Sequence, residues 1–150
     1  MQKIISILGL LVVLFGCTLA GCADDQPNPH DMTYATFVKQ LHVTGTTFTE
    51  ASVMNASFFS GTAYGLNIGS ERISIFEYPT SSDLQQDADR ISPQGDQIRN
   101  GSSTTVVDWI ATPHFYKRGR ILVLYIGNQP KIRALLQSLL GPQFAGGTPA

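Results

Sequence analysis

The sequence predicts an α+β domain. It is expected to hold a single antiparallel sheet of four or five strands with helices packed on one face, in the order α-β-ββ-α-ββ-α. Three observations lead there. Apolar residues recur at helical spacing in three separate segments. Between these segments lie runs rich in β-branched and aromatic residues, joined by short glycine-containing turns that suit hairpins. Nowhere does a strand-like run lead through a long helical crossover to another, as a parallel sheet would require.

Taken in order, Thr33 to Val43 is the first helix. Tyr34, Phe37, Val38 and Leu41 fall at i, i+3, i+4 and i+7, Thr33 suits the N-cap, and Gly45 ends it. Thr46 to Met54 reads as a strand around Phe48. Thr62 to Ile68 and Glu71 to Tyr78 flank Gly69-Ser70 and read as a hairpin, stopped by Pro79. Thr80 to Ile91 is the second helix, capped by Thr80, Ser81 or Ser82, with Leu84, Ala88 and Ile91 as a narrow apolar stripe. Ser92 to Ser103 is a polar Gly/Pro loop. Thr104 to Thr112 and Arg120 to Ile126 read as strands, with Pro113-His114-Phe115-Tyr116-Lys117-Arg118-Gly119 connecting them. Asn128 caps the last helix, Pro130 lies in its first turn, and Ile132, Leu135, Leu136 and Leu139 form its inner face. Gly141-Pro142 terminates it. Gln143 to Ala150 is a tail of mostly small residues.

The N-terminus carries a different signal. Lys3 precedes an apolar run from Ile4 to Phe15, and Leu19-Ala20-Gly21-Cys22 follows. The segment resembles a bacterial lipoprotein signal peptide with its lipobox. The resemblance implies cleavage before Cys22 and a diacylglyceryl thioether on that cysteine, often with a further N-acyl chain, since stable anchoring takes more than one chain. Cys17 competes, but bulky Phe15 stands where the lipobox has a small or β-branched residue, and cutting there would shorten the apolar region. A retained N-terminal anchor helix is the bland alternative, and the small-residue cleavage signal weighs against it. The expected divisions are residues 1–21 as signal peptide, 22–32 as lipidated cysteine and tether, 33–146 as one globular domain, and 147–150 as a flexible tail. The protein is then expected on a bacterial cell membrane, facing the extracytoplasmic side. If the host has two membranes, Ala23 after Cys22 lacks the aspartate that commonly signals inner-membrane retention, which leaves the outer membrane open.

Composition narrows the functions. Without residues 1–21 the chain keeps 129 residues, sufficient for one core. Nine Lys and Arg stand against eleven Asp and Glu in that part, so no strong field invites nucleic acid. With Cys17 removed and Cys22 lipidated, neither a disulfide nor a cysteine nucleophile is available. No Walker loop, GxGxxG, EF-hand loop, HExxH or CxxC occurs, and no cofactor or metal is expected. The expected partners are the membrane, through Cys22, and an envelope protein or small ligand.

Four features compete for a role. The run Ile121 to Ile126 is apolar at every position, which suits a central strand covered on both faces; its alternative is an exposed apolar sheet face. His114 is either a hydrogen-bonded structural residue or a general base, with Glu77 or Asp108 as its acid–base partner. An inward-facing Glu77 otherwise needs a partner such as Arg118 or Arg120. Phe115, Tyr116, Lys117 and Arg118 are the candidate binding patch. With Arg120 their cations could meet an anionic group or lipid phosphates.

The segments Ile75-Phe76-Glu77-Tyr78, Ile91-Ser92-Pro93, Asp108-Trp109-Ile110-Ala111, Pro113-His114-Phe115-Tyr116, Gly119 to Tyr125 and Leu139 to Gly146 together resemble a group of small uncharacterised bacterial lipoproteins, over roughly residues 33–146. The resemblance implies a lipid anchor and a compact domain, and carries no activity with it. The leading expectation is a non-catalytic extracytoplasmic interaction or ligand-binding domain. The alternatives are a small enzyme built on His114 and an envelope structural protein.

Overall fold

The computed structural model describes residues 31–53 and 56–147. The signal segment, Cys22, the tether as far as His30, and residues 148–150 lie outside the described residues. Helix α1 (Tyr34–Val43) is followed by β1 (Thr49–Ala51), a 3-10 turn (Ala56–Phe58), β2 (Thr62–Ile68) and β3 (Glu71–Glu77). Helix α2 (Ser81–Ala88), a hairpin of β4 (Gln97–Asn100) and β5 (Ser103–Val106), β6 (Pro113–Arg118), β7 (Ile121–Ile126), helix α3 (Pro130–Leu140) and β8 (Ala145–Gly146) complete it. The main sheet has six antiparallel strands in the order β1-β2-β3-β7-β6-β8, and β4 with β5 forms a separate two-stranded sheet.

The α+β class holds, but two parts of the expectation are corrected. The sheet is larger than four or five strands because two segments without a strand signature join it. Pro113–Arg118, expected as a connector, is β6 and pairs residue for residue with β7. Ala145–Gly146, expected in the tail, pairs with Phe115 and His114. In turn, Thr104–Thr112 is not the partner of β7; its first residues close a hairpin on Gln97–Asn100, within the expected loop.

The second correction concerns the helices, which cover both faces. Strand partners opposite one another point to the same side, so the register sorts the side chains. Ile73, Ile75, Ile121, Val123, Tyr125 and Tyr116 share one face with Phe37 and Leu41 of α1 and Ile132 and Leu136 of α3. Phe76, Leu122, Leu124 and Phe115 share the other with Leu84 and Ala88 of α2, Phe59, and Ile98 of the hairpin. A strand such as β7, apolar at each position, must be covered twice. One layer of helices would have left Leu122 and Leu124 in water.

Local chemistry sets the element ends. Thr33 Oγ1 accepts the Thr36 N–H at 3.1 Å and Thr80 Oγ1 that of Asp83 at 3.1 Å, so Thr33 caps α1 as read and Thr80, of the three candidates, caps α2. Helix α3 departs from the reading: its N-cap is Gln129, not Asn128, with no side-chain cap. The Gln129 N–H is instead met at 2.9 Å by the Tyr125 hydroxyl, which donates to Glu71 Oε2 at 2.7 Å. Burial and then the Glu71 carboxylate push the Tyr125 phenol up to about 12.

The β6–β7 turn fixes where the chain enters the domain. Gly119 has φ 55°, and a Cβ there would collide with the Met32 backbone. The Met32 carbonyl accepts the Arg120 N–H at 2.9 Å, the Met32 side chain is buried, and Asp31 pairs with Arg120 Nε at 3.0 Å.

Candidate functional site

His114 is buried, at 1% exposure, on the α1/α3 face beside Tyr125, whose ring it stacks on at 5.8 Å. Its Nδ1 lies 2.7 Å from Gln143 Oε1 and its Nε2 3.0 Å from the Gly127 carbonyl. The Gln143 amide nitrogen donates to the Gly147 carbonyl, which orients its oxygen toward the imidazole. Both ring nitrogens therefore face oxygen acceptors, and the ring ties β6 to β7 and to the segment that carries β8.

The carboxylates weighed as its partners are elsewhere. Glu77 shares a rung with Ile121, four residues along β7 from the Tyr125 rung of His114, and lies on the strand beyond β7. That places it about 13 Å away along the strands and about 10 Å across them. Its Oε1 accepts the Tyr34 N–H at 3.2 Å, so Glu77 serves the positive end of α1. Asp108 is exposed on the loop after β5, whose neighbours Val107 and Trp109 pack on the opposite face. The three residues do not converge on a common cleft, and the acid–base constellation is not formed.

The patch expected from Phe115, Tyr116, Lys117 and Arg118 is likewise corrected. In a strand, neighbours alternate, so Phe115 enters the α2 side of the core and Tyr116 the α1/α3 side, both almost fully buried. Lys117 follows Phe115, donating to Gln85 Oε1 at 2.7 Å and lying 4.8 Å from the Phe144 ring centre. Arg118 follows Tyr116 and donates to the Leu139 carbonyl at the end of α3 at 2.7 Å. The two cations stand on opposite sides of the sheet.

A polar centre that sequence reading missed lies on the α2 face. Asp87, at 5% exposure, accepts from the Ser60 N–H at 2.7 Å, the Ser60 hydroxyl at 2.9 Å, the Tyr78 hydroxyl at 3.0 Å and Arg90 Nη1 at 2.5 Å. Arg90 reaches on to the Arg99 carbonyl at 2.6 Å and to the Asn100 side chain. Burial opposes the charge on Asp87, but the hydrogen bonds from Ser60, Tyr78 and Arg90 outweigh it and hold the carboxyl below its usual range. Burial and the same carboxylate push the Tyr78 phenol up. Each partner is satisfied within the protein, so the centre acts as a clasp joining α2, β3, the Ser60 loop and the hairpin. Its sequence signal was slight: an aspartate on the apolar side of α2, one residue before Ala88.

Among the open clefts, one of about 290 Å³ lies at the far end of the same face. Arg72, Ser74 and Asn67 of β2 and β3 form its polar side, and Leu124, Ile126 and Ile110 its apolar side. The cleft exists because α2 is short and covers the sheet near Leu122. Farther along, β2 and β3 present Gly65, Asn67, Arg72 and Ser74, which offer a helix little apolar area. Ile110, on the loop after β5, stands over this opening at 87% exposure, whereas its neighbours Trp109 and Ala111 are half-buried. An amide, a guanidinium and a hydroxyl beside an apolar wall suit a small amphipathic ligand or a side chain of a partner. Among the described residues no group of three or more His, Cys, Asp or Glu could hold a metal ion, and no helix is long and apolar enough to cross a membrane. No protein family, no curated protein and no solved structure matches this chain.

Proposed function

We propose that this chain is a bacterial lipoprotein, held at the extracytoplasmic face of a membrane through acyl chains on Cys22, whose domain binds a partner or small ligand. The anchor rests on Leu19-Ala20-Gly21-Cys22 at the end of an apolar N-terminal run. The binding role rests on the cleft between Arg72, Ser74 and Ile110, where an exposed isoleucine stands over the polar end of the sheet. Binding is preferred to catalysis because His114 spends both ring nitrogens on the fold, and because Glu77 and Asp108 lie far from it.

The anchor is tested by expressing the chain in a bacterial host and measuring the mass of the N-terminal peptide from the membrane fraction. A mature chain beginning at an acylated Cys22 is expected, lost in Cys22→Ala and kept in Cys17→Ala; an unmodified Cys22 in the wild type rejects it. The cleft is tested with a photocrosslinking side chain at Ile110, compared with one at exposed Gln137 on α3. A partner captured at Ile110 and lost in Arg72→Glu is expected. Identical capture at both positions would reject the cleft as the binding site.

A further inference from the structure

We infer that the anchored domain stands on the membrane with its β6–β7 turn toward the headgroups and its cleft facing away. This rests on the anchoring at Cys22 proposed above, and adds a direction to it. The chain joins the domain at one end only. Asp31 pairs with Arg120, the Met32 carbonyl accepts the Arg120 N–H, and the buried Met32 side chain together with the Gly119 backbone leaves no play at that point. Nine residues, Ala23 to Asp31, lead from Cys22 into this clamp. A chain of that length spans about 17 Å on average and about 30 Å when fully drawn out.

The cleft is at the other end. Arg72 lies five residues along β3 from Glu77, the residue that shares a rung with Ile121 beside the turn, and Ser70 lies two residues farther. The opening is therefore about 17–23 Å from the clamp. To lay it on the bilayer, the tether would have to run back along the whole sheet, drawn out to or beyond its average length. With the clamp toward the membrane, no such stretching is required.

An exposed cation at the clamped end, Arg118, suits the phosphates of a lipid bilayer as the surface it meets. Arg118 is exposed beside the turn, and its hydrogen bond is to the neutral Leu139 carbonyl. Of the acids at this end, Asp31 pairs with Arg120, while Glu77 and Asp83 keep their charge, accepting from the Tyr34 N–H and from the Thr80 hydroxyl at 2.7 Å. The basic cluster that the sequence singled out thus serves orientation through Arg118, and not recognition by a four-residue patch.

The test uses the full-length, processed protein reconstituted in vesicles of phosphatidylethanolamine and phosphatidylglycerol with an acceptor dye on the headgroups. Donor dyes are placed on Ser82→Cys, exposed at the start of α2 near Pro79, and separately on Ser70→Cys, exposed at the β2–β3 turn. Energy transfer is expected to be at least twofold greater from position 82 than from position 70, and Arg118→Glu should narrow the difference. Equal transfer, or greater transfer from position 70, overturns the orientation while leaving the anchor standing. Protein that fails to float with the vesicles and lacks an acyl mass on Cys22 overturns both.

Discussion

The two faces of the sheet are covered by different means. On one, α1 and α3 lay regular apolar stripes across Ile73, Ile75, Val123 and Tyr125, and the contacts are almost wholly side chain on side chain. On the other, a helix of eight residues is helped by a 3-10 turn, a hairpin and a long loop, and those pieces meet at Asp87 and Arg90. Irregular backbone cannot satisfy its own polar groups as a helix does. A cover built from it needs hydrogen bonds as well as apolar area, and the Asp87 clasp supplies them. Such a cover also ends raggedly, and the cleft lies at its ragged end.

The comparison can be broken most strongly on the helical face. Phe37→Ala, at a site with no exposure, should cost about 3–5 kcal/mol in urea unfolding, because the cavity lies between two helices and the sheet. On the opposite face, Asp87→Ala should cost about 2–3 kcal/mol by leaving the Tyr78 hydroxyl, Ser60 and Arg90 without their acceptor. The distinguishing readout is hydrogen exchange: the Asp87 variant should lose protection first in β4 and β5, whereas the Phe37 variant should lose it throughout.

The clasp should also respond to pH. The Asp87 carboxyl is held below its unfolded value, so its stabilisation is present above the ordinary carboxylate range and is lost as pH falls through the lowered folded value. Wild-type stability should therefore decline in acid more steeply than that of Asp87→Asn; parallel profiles for the two proteins would remove the charge from the account.

A smaller effect is expected at the edge of the helical face. His114→Leu should cost about 1–3 kcal/mol, since Gln143 and the Gly127 carbonyl lose their buried partner. Proteolysis should then begin near Ala145–Gly146, because the ring holds the segment that supplies β8. The smallest change in stability belongs to Ile110→Ser, within about 0.5 kcal/mol at so exposed a position. If the cleft binds a partner, that same substitution should give the largest loss of binding, and this opposition separates the site from the scaffold.

Several parts of the fold were legible because they depend on neighbours in the chain. The stripe of Tyr34, Phe37, Val38 and Leu41 placed α1, Thr33 and Thr80 marked their caps, and Gly69-Ser70 marked the β2–β3 turn. The unbroken apolar run of Ile121–Ile126 marked a strand covered on both faces. Strand β6 was misread because its charged end and its histidine suggest a connector, although its alternate residues feed two cores. Strands β4 and β5 are polar and mostly exposed, so no apolar alternation reveals them. The cleft had no local signature, since it is made by residues distant in sequence and by the shortness of α2.

By itself, then, the sequence determined the α+β class, the three helices, the caps of the first two and the central apolar strand. These follow from periodicity, capping and spacing, which act over a few residues. Only the tertiary structure decided which face each helix covers, that Phe115 and Tyr116 are core, that His114 and Glu77 stand apart, and that Asp87 is a clasp. Each of those depends on pairing between segments far apart in the chain, where a side chain's role is set by the surface it meets.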